Sequence, residues 1–207
     1  MTITERIRHI MTEQEYTKDI DITKEYHITP AKAWGHLKTI TTHKAWVMHY
    51  CFRCGLYAQG LLHDLSKYSP EEFLTGARYY LGYRSPNDVE RKIYGGSRAW
   101  MHHKGRNKHH YEYWTDCLMG KDSHKLIGVH MPNRYILEMF CDRVAACRVY
   151  HKNNFSASQP LEYFLANEPG DLVHPETRRK LLFLLRSYAR KGEPFFDEIR
   201  AAVERRR

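Results

Sequence analysis

The stretch MPNRYILEMFCDRVAACRVY, residues 131–150, constrains the fold more than any other part of the chain. Its apolar side chains recur at Ile136, Met139, Phe140, Val144 and Cys147, close to the helical period of 3.6. Pro132 stands at the start, where a missing N–H has no helical partner to lose. Such a stripe must be buried against other elements. Within it lies Asp142, between Cys141 and Arg143. An unpaired buried carboxylate is costly, so this helix predicts either a metal or an arginine as the partner of Asp142.

The rest of the chain reads as helices that could bury that stripe. Pro30 opens AKAWGHLKTITTHKAWVMHYCFRCGLYAQGLL, a helical run to residue 62 with a break expected near Thr41 and Thr42. In SPEEF, Ser69 is an N-cap, Pro70 the first helical residue and Glu72 the capping-box partner of a helix reaching about Tyr80. PNDVERKIYGGSRAWMHH reads as one helix weakened by Gly95 and Gly96, and NKHHYEYW as a short helix or turn. NNFSASQP is a loop, and three helical segments follow it. Strand alternation, internal repeats and low-complexity segments are not evident. The expectation is one all-α domain over residues 1–207: a helical bundle whose site-bearing core spans about 30–150, with peripheral helices over about 158–207.

Composition narrows the class. The chain has 207 residues, 42% apolar, enough for a real core. No apolar run reaches 18 residues, so no membrane helix is expected. The N-terminal MTITERIRHIMTEQEY is charged and lacks an apolar secretory core, and the five cysteines are irregularly spaced. A reduced, cytoplasmic protein is therefore expected. Cys51 and Cys54 have C-x-x-C spacing but no second pair, and they are predicted to pack in the core. The formal net charge of +9 suits anionic small molecules. Nucleic acid is not favoured, because no aromatic-and-basic RNA motif, helix-turn-helix or zinc-finger spacing is present. The basic end AAVERRR reads as a solvated helix end.

The fourteen histidines are the greater oddity. In order they give His43, then His63 with Asp64, then His103, then His109 and His110, with Asp142 last. Six nitrogen and oxygen donors would fill a two-metal site with one bridging carboxylate, a set suited to iron, manganese, zinc, cobalt or nickel rather than calcium. His109 and His110 are alternatives for one ligand place, and so are His102 and His103. His63 and Asp64 are consecutive, so both can reach one ion only at a helix end or kink. Glu138, four residues before Asp142, faces the same way and either orients a histidine or pairs with Arg134. His36, seven residues before His43, is expected in the core or at the surface.

His43, HDLSK at 63–67 and Asp142 in a later helix give the chain a resemblance to the HD-domain superfamily of metal-dependent phosphohydrolases. HDLSK is similar to the His-Asp-Ile-Gly-Lys stretch of the HD-GYP phosphodiesterases, though the GYP segment itself is absent. HDLSKYSPEEF, AWMHHKGRNKHHYEYW and MPNRYILEMFCD, taken in order, resemble a small bacterial and phage family of uncharacterised HD-like proteins over about residues 36–150. The resemblance implies an HD-like helical bundle that activates water for attack on a phosphate ester, nucleotides being among the candidate substrates. His43, His63, Asp64 and Asp142 would hold one ion, and His103 with His110 or His109 a second. Asp64 would bridge, while Lys67, Arg106 and Arg143 would meet phosphate oxygens. The same four-histidine, two-aspartate count resembles the di-iron oxygenases of HD type. A non-catalytic module that binds a nucleotide or nucleic acid is the third class.

Overall fold

Short polar caps and glycines cut the helical pattern into its elements. In the computed structural model, which describes residues 20–205, Thr29 accepts from the Lys32 amide at 3.2 Å and starts helix α1, Pro30–Arg53. The helix runs unbroken through Thr41 and Thr42, against expectation. Thr39 shows how a threonine is tolerated there, its hydroxyl donating to the Gly35 carbonyl one turn back at 3.0 Å. The interruption falls instead at Gly55, whose φ of +77° ends the helical path before α2, Tyr57–Leu62. A 3-10 turn, Leu65–Tyr68, precedes α3, Pro70–Arg78, and the Ser69 hydroxyl accepts from the Glu72 amide as expected.

The segment expected as one helix over 86–103 is two. Gly95 takes a left-handed φ of +72° and closes α4, Pro86–Tyr94. Ser97 then accepts from the Trp100 amide at 2.9 Å and donates to Glu90, so α5, Arg98–Lys104, starts afresh. A 3-10 turn, Tyr111–Trp114, leads into a feature that was not expected, an antiparallel hairpin of β1, Thr115–Cys117, and β2, Leu126–Gly128. Helices α6, Asn133–His151, α7, Gln159–Ala166, α8, Pro175–Lys191, and α9, Phe195–Glu204, complete the described chain. The fold is all-α apart from the hairpin. No helix among the described residues is long and apolar enough to cross a membrane. The N-terminal stretch and the last two arginines, both read in the sequence, lie outside the described residues.

Contacts divide the chain into two compact units. The first comprises residues 20–42 and 64–103 and buries a small core of Ile20, Tyr26, Tyr79 and Val89. The second comprises 43–63 and 104–205, and its core is large. Ile136, Met139, Phe140 and Val144 of α6 pack with Val47, Tyr50, Cys51 and Cys54 of the α1 end, and with Leu181, Leu185, Tyr188, Phe195 and Phe196. The C-terminal helices, expected at the periphery, thus supply the interior of this unit. The reason is visible in their sequence: FFDEI and LLFLL carry more bulk than a covering helix needs. Cys51 and Cys54 are fully buried, as predicted, and the Cys54 and Cys141 sulfurs lie 3.9 Å apart.

Candidate metal centre

In the second unit, four elements deliver histidines and carboxylates to one place. Helix α1 carries His43, the end of α2 His63, the loop after α5 His109, and successive turns of α6 carry Glu138 and Asp142. The His43 Nε2 lies 2.9 Å from Asp142 Oδ1, and the His63 Nε2 3.6 Å from the same oxygen. His63 Nδ1 lies 3.0 Å and His109 Nδ1 3.2 Å from Glu138 Oε1. The rings of His63 and His109 have centroids 4.3 Å apart, and His110 follows at 4.2 Å from His109. His63 and His109 are 2% exposed, so the set lies inside the protein.

Burial works against ionisation of Asp142, but the neighbouring His43 and His63 imidazoles outweigh it and hold the carboxyl well below its usual range. Glu138 behaves alike: burial raises it, while His109 and His63 bring it below the ordinary glutamate value. His43, His63 and Asp142 each offer a donor atom within 4.8 Å of the others, and His63, His109 and Glu138 do the same. Nitrogen and oxygen donors in these proportions fit a first-row divalent ion. The residues present could therefore hold a metal ion.

In the first unit, Asp64 adopts a left-handed backbone, φ 54° and ψ 27°, directly after the extended His63. The chain is therefore kinked at the His-Asp step. Aspartate tolerates this conformation better than most residues because its short polar side chain can bond locally. Its Oδ2 lies 2.6 Å from Lys67 Nζ, one turn on, and its Oδ1 lies 3.3 Å from His103 Nε2. His103 Nδ1 lies 2.7 Å from Glu72 Oε2, and His102 Nδ1 lies 2.6 Å from Glu72 Oε1. Ser66 Oγ stands 3.2 Å from His103 Nδ1. Asp64, Glu72 and His103 are all buried. Burial disfavours the charged form of His103, yet Asp64 and Glu72 outweigh it and raise its pKa.

The sequence-predicted residues fall out as follows. His43, His63, His109 and Asp142 are brought together in the second unit, with His110 beside His109. Asp64, Lys67 and His103 are brought together in the first. Of the alternative pairs, His109 and His103 are the buried members, and His110 and His102 are half-buried. Lys67, expected to meet phosphate, is engaged by Asp64 in this structure. Arg106 is exposed, and the Arg143 guanidinium lies 5.1 Å over the Phe164 ring. Glu138 takes the first of its two expected roles, on histidines, while Arg134 lies over the Tyr135 ring. His36, expected either in the core or at the surface, is buried, with its ring against Gly76 and Phe73.

Sequence reasoning missed Glu72 as part of the site. It was read only as the capping-box partner, yet its carboxylate accepts from two histidines. A signal was present: Glu72 is one turn before Gly76 and next to Ala77 on the same face, and all three are buried. An acid on the small-residue face of a helix is an acid facing inward.

The fold and these clusters define an all-α protein with buried groups of histidine, aspartate and glutamate that could hold a metal ion. Residues 32–187 match the model of a family of unknown function, DUF5662, and the chain belongs to that family. No curated protein and no solved structure matches it.

Proposed function

We propose that the chain is a metal-dependent phosphohydrolase of the HD type, acting on a phosphomonoester or phosphodiester. The observation that carries the reading is the convergence of His43, His63 and the half-buried Asp142, whose carboxyl is held well below its usual range. His43, His63 and Asp142 would hold an ion, with Asp64 the next residue in the chain. In the first unit, Asp64 and His103 supply a further carboxylate and imidazole. When bound, a divalent ion contributes Lewis acidity and lowers the pKa of water towards neutrality. The chain's own residues do the rest. Lys67 sets a positive charge beside Asp64, where an anionic phosphate group is attracted, and the net charge of +9 favours the approach of such substrates. Burial of the histidines excludes bulk water and strengthens every charge interaction among them.

The test begins with metal content and stoichiometry by mass spectrometry, on protein purified without a histidine tag. Manganese, zinc, cobalt or nickel is expected, together with phosphate release from a panel of esters that Asp142→Ala abolishes. Two irons per chain with dioxygen uptake and no phosphate release would overturn hydrolysis in favour of an oxygenase. A chain that takes up no metal on reconstitution would leave a helical binding protein.

A further inference from the structure

Each unit contains a buried glutamate that spans the Nδ1 atoms of two histidines. Glu138 Oε1 faces Nδ1 of both His63 and His109, at 3.0 and 3.2 Å. Glu72 uses one oxygen for each ring, Oε1 for His102 at 2.6 Å and Oε2 for His103 at 2.7 Å. The two arrangements share no residue and lie on different helices. In both, the opposite ring nitrogen looks at an aspartate: His63 Nε2 is 3.6 Å from Asp142 Oδ1, and His103 Nε2 is 3.3 Å from Asp64 Oδ1.

From this repeated pattern we infer that Glu138 and Glu72 are positioning residues that place the proton of their histidines on Nδ1 and present Nε2 as the donor atom. An ionised carboxylate only accepts hydrogen bonds, so each Nδ1 in contact with it must carry a hydrogen. In a neutral ring the proton can be on one nitrogen only, which leaves a lone pair on Nε2. That lone pair then faces a carboxylate oxygen, itself an acceptor. Two acceptors at this distance repel unless a cation or a proton stands between them. The glutamates thus do more than anchor rings: they turn His63 and His103 towards Asp142 and Asp64 in the form a cation requires. A hydrogen bond from the far nitrogen to a carboxylate also raises the basicity of a ligating imidazole. Glu138 governs two rings through one oxygen, so its loss releases His63 and His109 together.

The inference rests on the metal reading above, and its first readout needs no metal. Long-range 1H–15N correlation spectra of the metal-free chain at pH 8.5 report which ring nitrogen carries the proton. A proton on Nδ1 of His63, His109 and His103 is expected, moving towards Nε2 in Glu138→Gln for the first two and in Glu72→Gln for the third. A bare Nδ1 on these rings in the unmodified protein would overturn the inference. The second readout is metal affinity, expected to fall about 10- to 100-fold in Glu138→Gln, with the melting temperature of the metal-free protein little changed. A lowered melting temperature with unchanged affinity would make Glu138 a structural acceptor and nothing more. Protons on Nδ1 in a chain that takes up no metal would uphold the positioning and overturn the phosphohydrolase reading, so the two failures are separable.

Discussion

Asp64 combines a buried carboxylate with a φ of 54°, a backbone conformation that side chains with a Cβ resist by about 1–2 kcal/mol. Glycine accepts it freely. Asp64→Gly is therefore expected to be more stable than Asp64→Ala by about 1 kcal/mol in urea unfolding, reversing the usual order of these two residues, while both lose metal. Equal stabilities would mean that the kink relaxes. His36 makes a second residue-level prediction. Burial, helped by the positive Lys67, pushes its pKa down from 6.5 to about 4. The unfolded chain then binds a proton between those values that the folded chain does not, so stability falls as pH drops from about 6.5 to 4 and is level above and below. At about 1.4 kcal/mol per unit, the loss reaches roughly 3 kcal/mol. His36→Gln should remove that component from a pH series of unfolding curves. Such residue properties were only partly readable in the sequence. The His-Asp pair announced a kink, because consecutive ligands demand one, and the order of histidines announced a cluster. Which of His109 and His110 reaches Glu138 depends on the loop's path, which no spacing encodes.

At the scale of elements, the helices with strong periodicity were readable and their breaks were not. Gly95 and Gly96 looked like weak points within one helix. They divide two helices because Gly95 adopts φ +72° and Ser97 and Glu90 rebuild a helix start three residues on. The hairpin escaped notice because strands of three residues, TDC and LIG, are too short to show alternation. Its position is fixed by packing. A Cβ at Gly128 would lie 2.3 Å from the His174 backbone nitrogen and 2.7 Å from the Leu172 carbonyl oxygen, leaving no room for any side chain. Gly128→Ala is expected to cost about 1–3 kcal/mol through overpacking, read as a lower urea midpoint. A midpoint equal to wild type would show the hairpin free to lift from that segment.

For the molecule as a whole, the second unit is held by one carboxylate as well as by its core. Glu193 accepts from Arg53 and Arg148 at 2.6 Å each and from the Tyr50 and Tyr188 hydroxyls at 3.1 Å each. Its backbone carbonyl takes a further bond from Arg53 at 2.8 Å. These donors come from α1, α6 and α8. Glu193→Ala takes one carboxylate away from two guanidinium groups and two phenols, although Arg53 keeps Asp197, and is expected to cost about 2–3 kcal/mol, with metal uptake unchanged. A loss below about 0.5 kcal/mol, the level of an ordinary surface substitution, would show the carboxylate to be incidental. Nothing in the sequence marked Glu193, because three of its four partners are 45 to 143 residues away.

The position of that residue also sets an order of events in synthesis. Helix α6, with Glu138 and Asp142, is completed early, but the aromatic side chains that enclose its other face belong to residues 188–196. A nascent chain emerging from the ribosome therefore holds the helix that carries Glu138 and Asp142 with part of its apolar side open until residues 188–196 have also emerged.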